Sequence, residues 1–170
     1  MSLTILRHPD PVLRKIAAPI PEVTDEIREL AAAMAETMYR AEGIGLAAPQ
    51  IGRSIRLITV DVTGPERREG LLTLINPELT PLPEAGYVEG EEGCLSVEDY
   101  RAKVRRYASV ALSALDANGA PVRLEAEGLL AVCLQHEVDH LEGKLFIDHL
   151  SRLKRSMYEA RLRKRLRNNA

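Results

Sequence analysis

The chain has 170 residues, with 23 Lys and Arg against 25 Asp and Glu, four His, two Cys, no Trp and one Phe. A chain this long suits one domain, and 45% hydrophobic with 28% charged residues excludes global disorder. Two Cys exclude the small secreted disulfide scaffold, and the longest apolar stretch, 129–134, is far too short to span a membrane.

The opening residues have no signal-like apolar run, so a cytoplasmic protein is expected. The near-neutral charge hides an asymmetry. Residues 152–167 carry eight Lys and Arg against Glu159 alone, a net of +7, which leaves −9 on the rest.

In chain order, a Pro-rich opening leads to a first helix. Thr24 is a good N-cap, Asp25 and Glu26 suit the positive helix start, and Ile27, Leu30, Met34 and Met38 recur at helical spacing. Gly43 is placed to end this helix at its C′ position. Strands are predicted over 55–61, 71–75 and 104–115, and Asn118-Gly119 turns the last of these into a strand over 122–126. A second helix is predicted over about 128–141, stopping at Gly143. A third covers about 151–167, with Leu150, Leu153 and Met157 packing on the body. Helices at both ends of a strand-rich middle imply an α+β fold.

His136-Glu137-Val138-Asp139-His140 is the strongest chemical signal. Residues four apart on a helix stand one above the other, so both imidazoles reach one metal ion, and Glu137 lies beside them as a proton acceptor for water. The flanking Leu129, Leu130, Val132, Leu134 and Leu141 mark a largely buried helix, where two unpartnered His and a Glu would be costly.

A third ligand is required. Cys133 is seven residues from His140, about 10.5 Å along the axis, too far for bonds of about 2.0–2.3 Å to join them to one ion. The zinc-protease pattern with a third His fails because position 146 is Phe146. Glu159 and Cys94 stay open, the latter in Glu92-Gly93-Cys94-Leu95-Ser96.

Gly43-Ile44-Gly45-Leu46-Ala47-Ala48 fits a dinucleotide fingerprint in letters only. It follows a helix rather than a strand, and Pro49 and Gly52 oppose a helix after it. What remains is an exposed segment of flexible backbone ending in Gln50, whose amide can donate to a substrate oxygen.

Together, Gly43-Ile44-Gly45-Leu46-Ala47-Ala48-Pro49-Gln50, Glu92-Gly93-Cys94-Leu95-Ser96 and Gln135-His136-Glu137-Val138-Asp139-His140 resemble the three signature motifs of the peptide deformylase family. The resemblance runs from Asp10-Pro11-Val12-Leu13-Arg14 to Leu150-Ser151-Arg152-Leu153-Lys154.

It implies antiparallel and mixed sheets wrapped around a central helix that carries the His motif, followed by a C-terminal helix. The expected organisation is a single catalytic domain over 1–150 with a basic helix and tail, 151–170, packed on it. It also implies removal of the formyl group from N-formylmethionyl nascent peptides. One Fe2+ would be held by Cys94, His136 and His140, with Zn2+, Ni2+ or Co2+ as possible substitutes.

Glu137 would take the proton of the attacking water and later deliver one to the departing amine, while Gln50 and the Leu95 N–H stabilise the oxyanion. The substrate backbone would lie along Gly45 as an added strand. The methionine side chain would enter a pocket of Ile44, Leu129, Val132 and Cys133.

The basic helix would dock on ribosomal RNA. DNA and membranes are not expected partners, and a monomer is expected. Two departures from the family pattern stand out: Glu98 where Pro is usual, and Gly90 where a bulky apolar residue often shapes the methionine pocket. Two rival readings are a peptidase with Glu159 as third ligand and a fold-keeping paralogue that binds without turnover.

Overall fold

The computed structural model describes residues 2–170. Helix α1 (Asp25–Arg40) begins as predicted, with the Thr24 hydroxyl accepting from Ile27 N. Strands β1 (Gly45–Ala47) and β2 (Leu57–Val60), a single helical turn α2 (Gly64–Arg67), and strand β3 (Leu72–Pro81) follow. Then come β4 (Tyr87–Cys94), β5 (Val97–Tyr107), β6 (Ser109–Leu115) and β7 (Pro121–Glu127). Helices α3 (Gly128–Leu141) and α4 (Arg152–Asn168) complete the chain.

Two antiparallel sheets result. One is five-stranded in the order β1-β2-β3-β6-β7, and the other is the β4–β5 hairpin. Both faces of the larger sheet are covered, so β2 is buried at every position and its side chains alternate between two cores. Ile58 and Val60 face Leu134 and Leu141 of α3, whereas Leu57 joins Met34 and Met38 of α1. The hairpin lies on the far side of α3, where Val97 and Val104 pack with Phe146 and Tyr158. The motif helix is thereby enclosed by both sheets.

Four expectations need correction. The predicted 104–115 strand is two strands in different sheets: Tyr107 pairs with Tyr87 and Ser109 with Glu127, and the chain crosses between sheets at Ala108. The left-handed residue after α1 is Glu42 (φ 59), not Gly43. Gly43 stands one place later, where its N–H closes the turn onto Met38 O, and an added Cβ would lie 2.8 Å from Leu95 Cδ1.

Gly45–Ala47 is a buried edge strand rather than an exposed flexible segment. Helix α4 docks through Tyr158 and Leu162, leaving Leu153 71% and Met157 59% exposed. Its apolar content is too sparse for periodicity alone to choose the buried face.

Gly143 ends α3 as the sequence predicts. It has φ 73, its N–H bonds His140 O, and Lys144 N bonds Asp139 O. A Cβ there would lie 2.5 Å from Arg14 O. Gly143→Ala is expected to cost at least the ~1–2 kcal/mol of a left-handed alanine, read as a lower urea midpoint at unchanged slope.

Candidate active site

Helix α3 places His136, Glu137 and His140 in the space between the larger sheet and the hairpin. Cys94 ends β4 and pairs with Val97 across the two-residue turn Leu95-Ser96. This turn brings the Cys94 sulfur to the two imidazoles: Sγ is 3.4 Å from His140 Nε2, and one donor atom from each of Cys94, His136 and His140 lies within 4.8 Å of the others. A thiolate and two imidazoles so close form a donor set suited to a divalent transition metal. Buried His140 Nδ1 and Glu137 Oε2 have no hydrogen-bond partner among the described residues.

Glu137 Oε1 is 4.0 Å from His136 Nε2. Burial pushes its carboxyl up to about 7, the nearby Glu92 charge adds to this, and His136 opposes it. A carboxyl poised there exchanges protons with water near neutrality. Burial also lowers His140, and the neighbouring His136 lowers it further, which keeps its imidazole neutral and able to ligate.

Glu92 behaves in the opposite way. Burial would raise it, but hydrogen bonds and charge from Arg106, aided by His136, hold it down at about 2. Arg106 grips it through Nε and Nη2, both at 2.9 Å. Glu92 Oε1 also lies 2.9 Å from His136 Nδ1, which leaves Nε2 as the nitrogen available to a ligand.

Gln50 is fixed at both ends of its amide. Oε1 accepts from Ala47 N at 2.9 Å, and Nε2 donates to the buried Ser96 hydroxyl at 3.1 Å while lying 3.7 Å from Cys94 Sγ. The N-terminal segment braces the same turn: His8 N donates to Ser96 O at 2.7 Å and Arg7 Nη1 to Leu95 O at 3.0 Å.

A cleft of about 800 Å³ opens above these groups. Ile44, Gly45, Leu129, Val132 and Cys133 line it with Gln50, Cys94, Leu95, His136 and Glu137, so all the predicted site residues except His140 face one space. Leu129 is 55% exposed at the rim, against the expectation of burial. Gly45 is pressed on the floor: a Cβ there would sit 2.5 Å from Glu137 Oε1 and 3.0 Å from Cys133 Sγ.

Cys133 Sγ contacts Ile44 O at 3.7 Å, and burial raises its thiol, as befits an apolar lining group. Glu159 is not in the cluster; it pairs with Arg155 on α4 at 3.4 Å. Gly90 does not line the cleft, and a Cβ there would meet nothing within 4 Å. Glu98 pairs with Arg7 at 3.0 Å and Arg165 at 3.5 Å.

Sequence reasoning missed Arg106, the roles of Glu92 and Ser96, and the rim residues Glu42, Tyr100 and Arg101. One signal was available. Arg106 is in phase with Val104 on β5, a charge on the inward face of an alternating strand, which requires a buried partner.

Comparison with known proteins agrees with this geometry. The family model for polypeptide deformylase matches residues 2–156. A peptide deformylase of Acinetobacter baumannii (strain SDF) is 52% identical over 97% of this chain and 92% of its own length. One from Alkalilimnicola ehrlichii is 50% identical over 97% and 91%. The crystal structure of a peptide deformylase from Legionella pneumophila superposes with a TM-score of 0.90 at 44% identity, covering 99% of this chain and 98% of that one. The chain therefore belongs to the peptide deformylase family, metalloenzymes that remove the formyl group from the N-terminal methionine of nascent peptides.

Proposed function

We propose that Cys94, His136 and His140 are the metal ligands of this deformylase and that Glu137 is its general acid–base. The observation that carries the reading is the convergence of the three donors within 4.8 Å beside a buried carboxyl with an unpaired oxygen. Fe2+ is the ion we assign, with Zn2+, Ni2+ or Co2+ able to replace it, because a thiolate–bis-imidazole set discriminates weakly among them. When bound, such an ion supplies a Lewis acid for the formyl carbonyl and eases the ionisation of water.

The chain's own groups do the rest. Glu137 takes the proton of the attacking water and passes one to the leaving amine as the C–N bond breaks, so formyl-methionyl peptide plus water gives formate plus the free amino terminus. The Gln50 Nε2 and the Leu95 N–H donate to the oxygen on which charge develops. The edge position of β1, hydrogen-bonded to β2 on one side, favours a substrate backbone laid along Gly45 as an added strand. Ile44, Leu129, Val132 and Cys133 receive the methionine side chain, an apolar lining suited to an unbranched thioether.

We read residues 1–150 as the catalytic domain and 151–170 as a basic appendage that docks on ribosomal RNA, in a monomeric cytoplasmic enzyme. The +7 charge of 152–167 supports the docking, and so does the exposure of Arg152, Lys154, Arg163, Lys164 and Arg167. Among the described residues no helix is long and apolar enough to cross a membrane.

Three measurements test these roles. Glu137→Gln is expected to keep its metal while kcat falls by about 10²–10⁴-fold; metal analysis beside a formyl-Met-Ala-Ser assay reads both. Gly45→Ala should displace the Glu137 carboxylate and lower kcat by about 10²-fold, also with metal retained. Replacing Lys154, Arg163, Lys164 and Arg167 by Ser should weaken ribosome binding and flatten its salt dependence, with turnover of free peptides unchanged; an unaltered salt slope sinks the docking role.

A further inference from the structure

His136 is held by more than Glu92. From its Nδ1 a continuous chain of polar contacts runs outward: 2.9 Å to Glu92 Oε1, 2.9 Å from Glu92 to two nitrogens of Arg106, 2.8 Å from Arg106 Nη1 to Asp139 Oδ2, and 2.8 Å from that oxygen to His149 Nε2. His149 Nε2 also lies 3.3 Å from Arg106 Nη1, and the shorter contact, to the Asp139 carboxylate, assigns it the proton that it donates there. The first links are buried, with the Arg106 and Glu92 side chains 4% and 8% exposed, whereas His149 is 36% exposed. A second cavity, of about 420 Å³, opens on Arg106, Asp139 and His149 at the outer end of this chain.

The turn that carries His149 also reaches His136 directly. Phe146 is 1% exposed, and its ring lies 6.2 Å from the His136 ring at an interplanar angle of 23°. Asp148 anchors the turn by accepting from Arg14 at 2.6 and 3.1 Å and from Leu145 N at 3.0 Å. The other imidazole has no such support: His140 Nδ1 is without a partner among the described residues.

We propose that the turn Phe146–His149 is an outer brace for His136, and that Asp139 and His149 are positioning residues acting through Arg106 and Glu92. One guanidinium serves two carboxylates. Asp139 draws on Nη1 while Glu92 holds Nε and Nη2, so the plane of Arg106 is pinned on both sides. His149 shares the load on Asp139 Oδ2 and keeps that carboxylate from swinging into the cavity. With Asp139 taking part of the Arg106 charge, Glu92 keeps enough negative charge to orient His136 and raise its basicity toward a metal.

The proposal rests on His136 being a ligand, and the test separates the two. Ni2+ affinity is measured by chelator competition on the whole chain, together with the visible spectrum of the Co2+ form and the melting of the metal-free protein. Asp139→Asn is expected to weaken Ni2+ binding by about 10- to 100-fold and His149→Ala by about three- to tenfold, with shifted Co2+ bands. His149→Gln, which keeps an N–H donor, should restore affinity to within about twofold of the parent, as expected for a donor whose only task is orientation.

Parental affinity and spectrum in Asp139→Asn and His149→Ala overturn the brace, as does a His149→Gln variant no better than His149→Ala. If Asp139→Asn does not fold, the two His149 variants decide alone. His136→Ala binding Ni2+ like the parent removes the ligand role, and the brace with it. Loss in His136→Ala beside unchanged His149→Ala leaves the ligand role and removes only the brace.

Discussion

The architecture depends on one constraint: a helical turn bearing two imidazoles and a carboxyl is buried between two sheets. Each ionisable group taken out of water there costs several kcal/mol unless it is matched. The chain meets that cost unequally. Glu92 is paired with a buried guanidinium and held at about 2, whereas Glu137, one residue from His136, lacks such a partner and rises to about 7. Two carboxylates in one dry space are thus driven apart in acidity, one kept as a fixed anion and the other ready to exchange protons. The neutral His140 follows from the same burial.

The larger sheet is the platform for this arrangement. Alternation along β2 and β3 lets α1 and α3 share the sheet from opposite faces, so α3 has no freedom to withdraw from the short edge strand β1. Gly45 sets how closely β1 approaches, because any side chain would occupy the place of the Glu137 carboxylate. A glycine that fits a dinucleotide fingerprint in letters serves here to bring backbone against a carboxylate.

Much of this was legible because its signals are local. Thr24, the 128–141 helix with Gly143 after it, and the Asn118-Gly119 hairpin declare themselves within a few residues of sequence. Strand β4 does not, since Glu89, Glu91 and Glu92 among Gly90 and Gly93 offer little strand propensity; only its partner β5 makes it a strand. The crossing at Ala108 was equally hidden, because no Gly, Pro, Asn or Asp in 104–115 marks the point where the chain changes sheets.

At the site, the His motif and the glycine and cysteine segments were visible as residue types. The roles of Arg106 and Ser96 were not, because each depends on a partner far away in sequence. The reading of α4 failed for a related reason. Tyr158 is buried by Tyr100 and His8, neither of them near it in the chain.

The same remoteness bears on how the molecule assembles. The turn after Cys94 is held by His8 and Arg7, Arg165 reaches Glu98 beyond it, and the His8–Tyr158 contact closes a loop of 150 residues. Such closures carry a high entropic cost and reward the chain late, whereas the β6–β7 hairpin forms from neighbours. The hairpin that carries Cys94 and Glu92 is thus local in the chain, whereas the bracing of its turn joins segments from the two ends of the molecule.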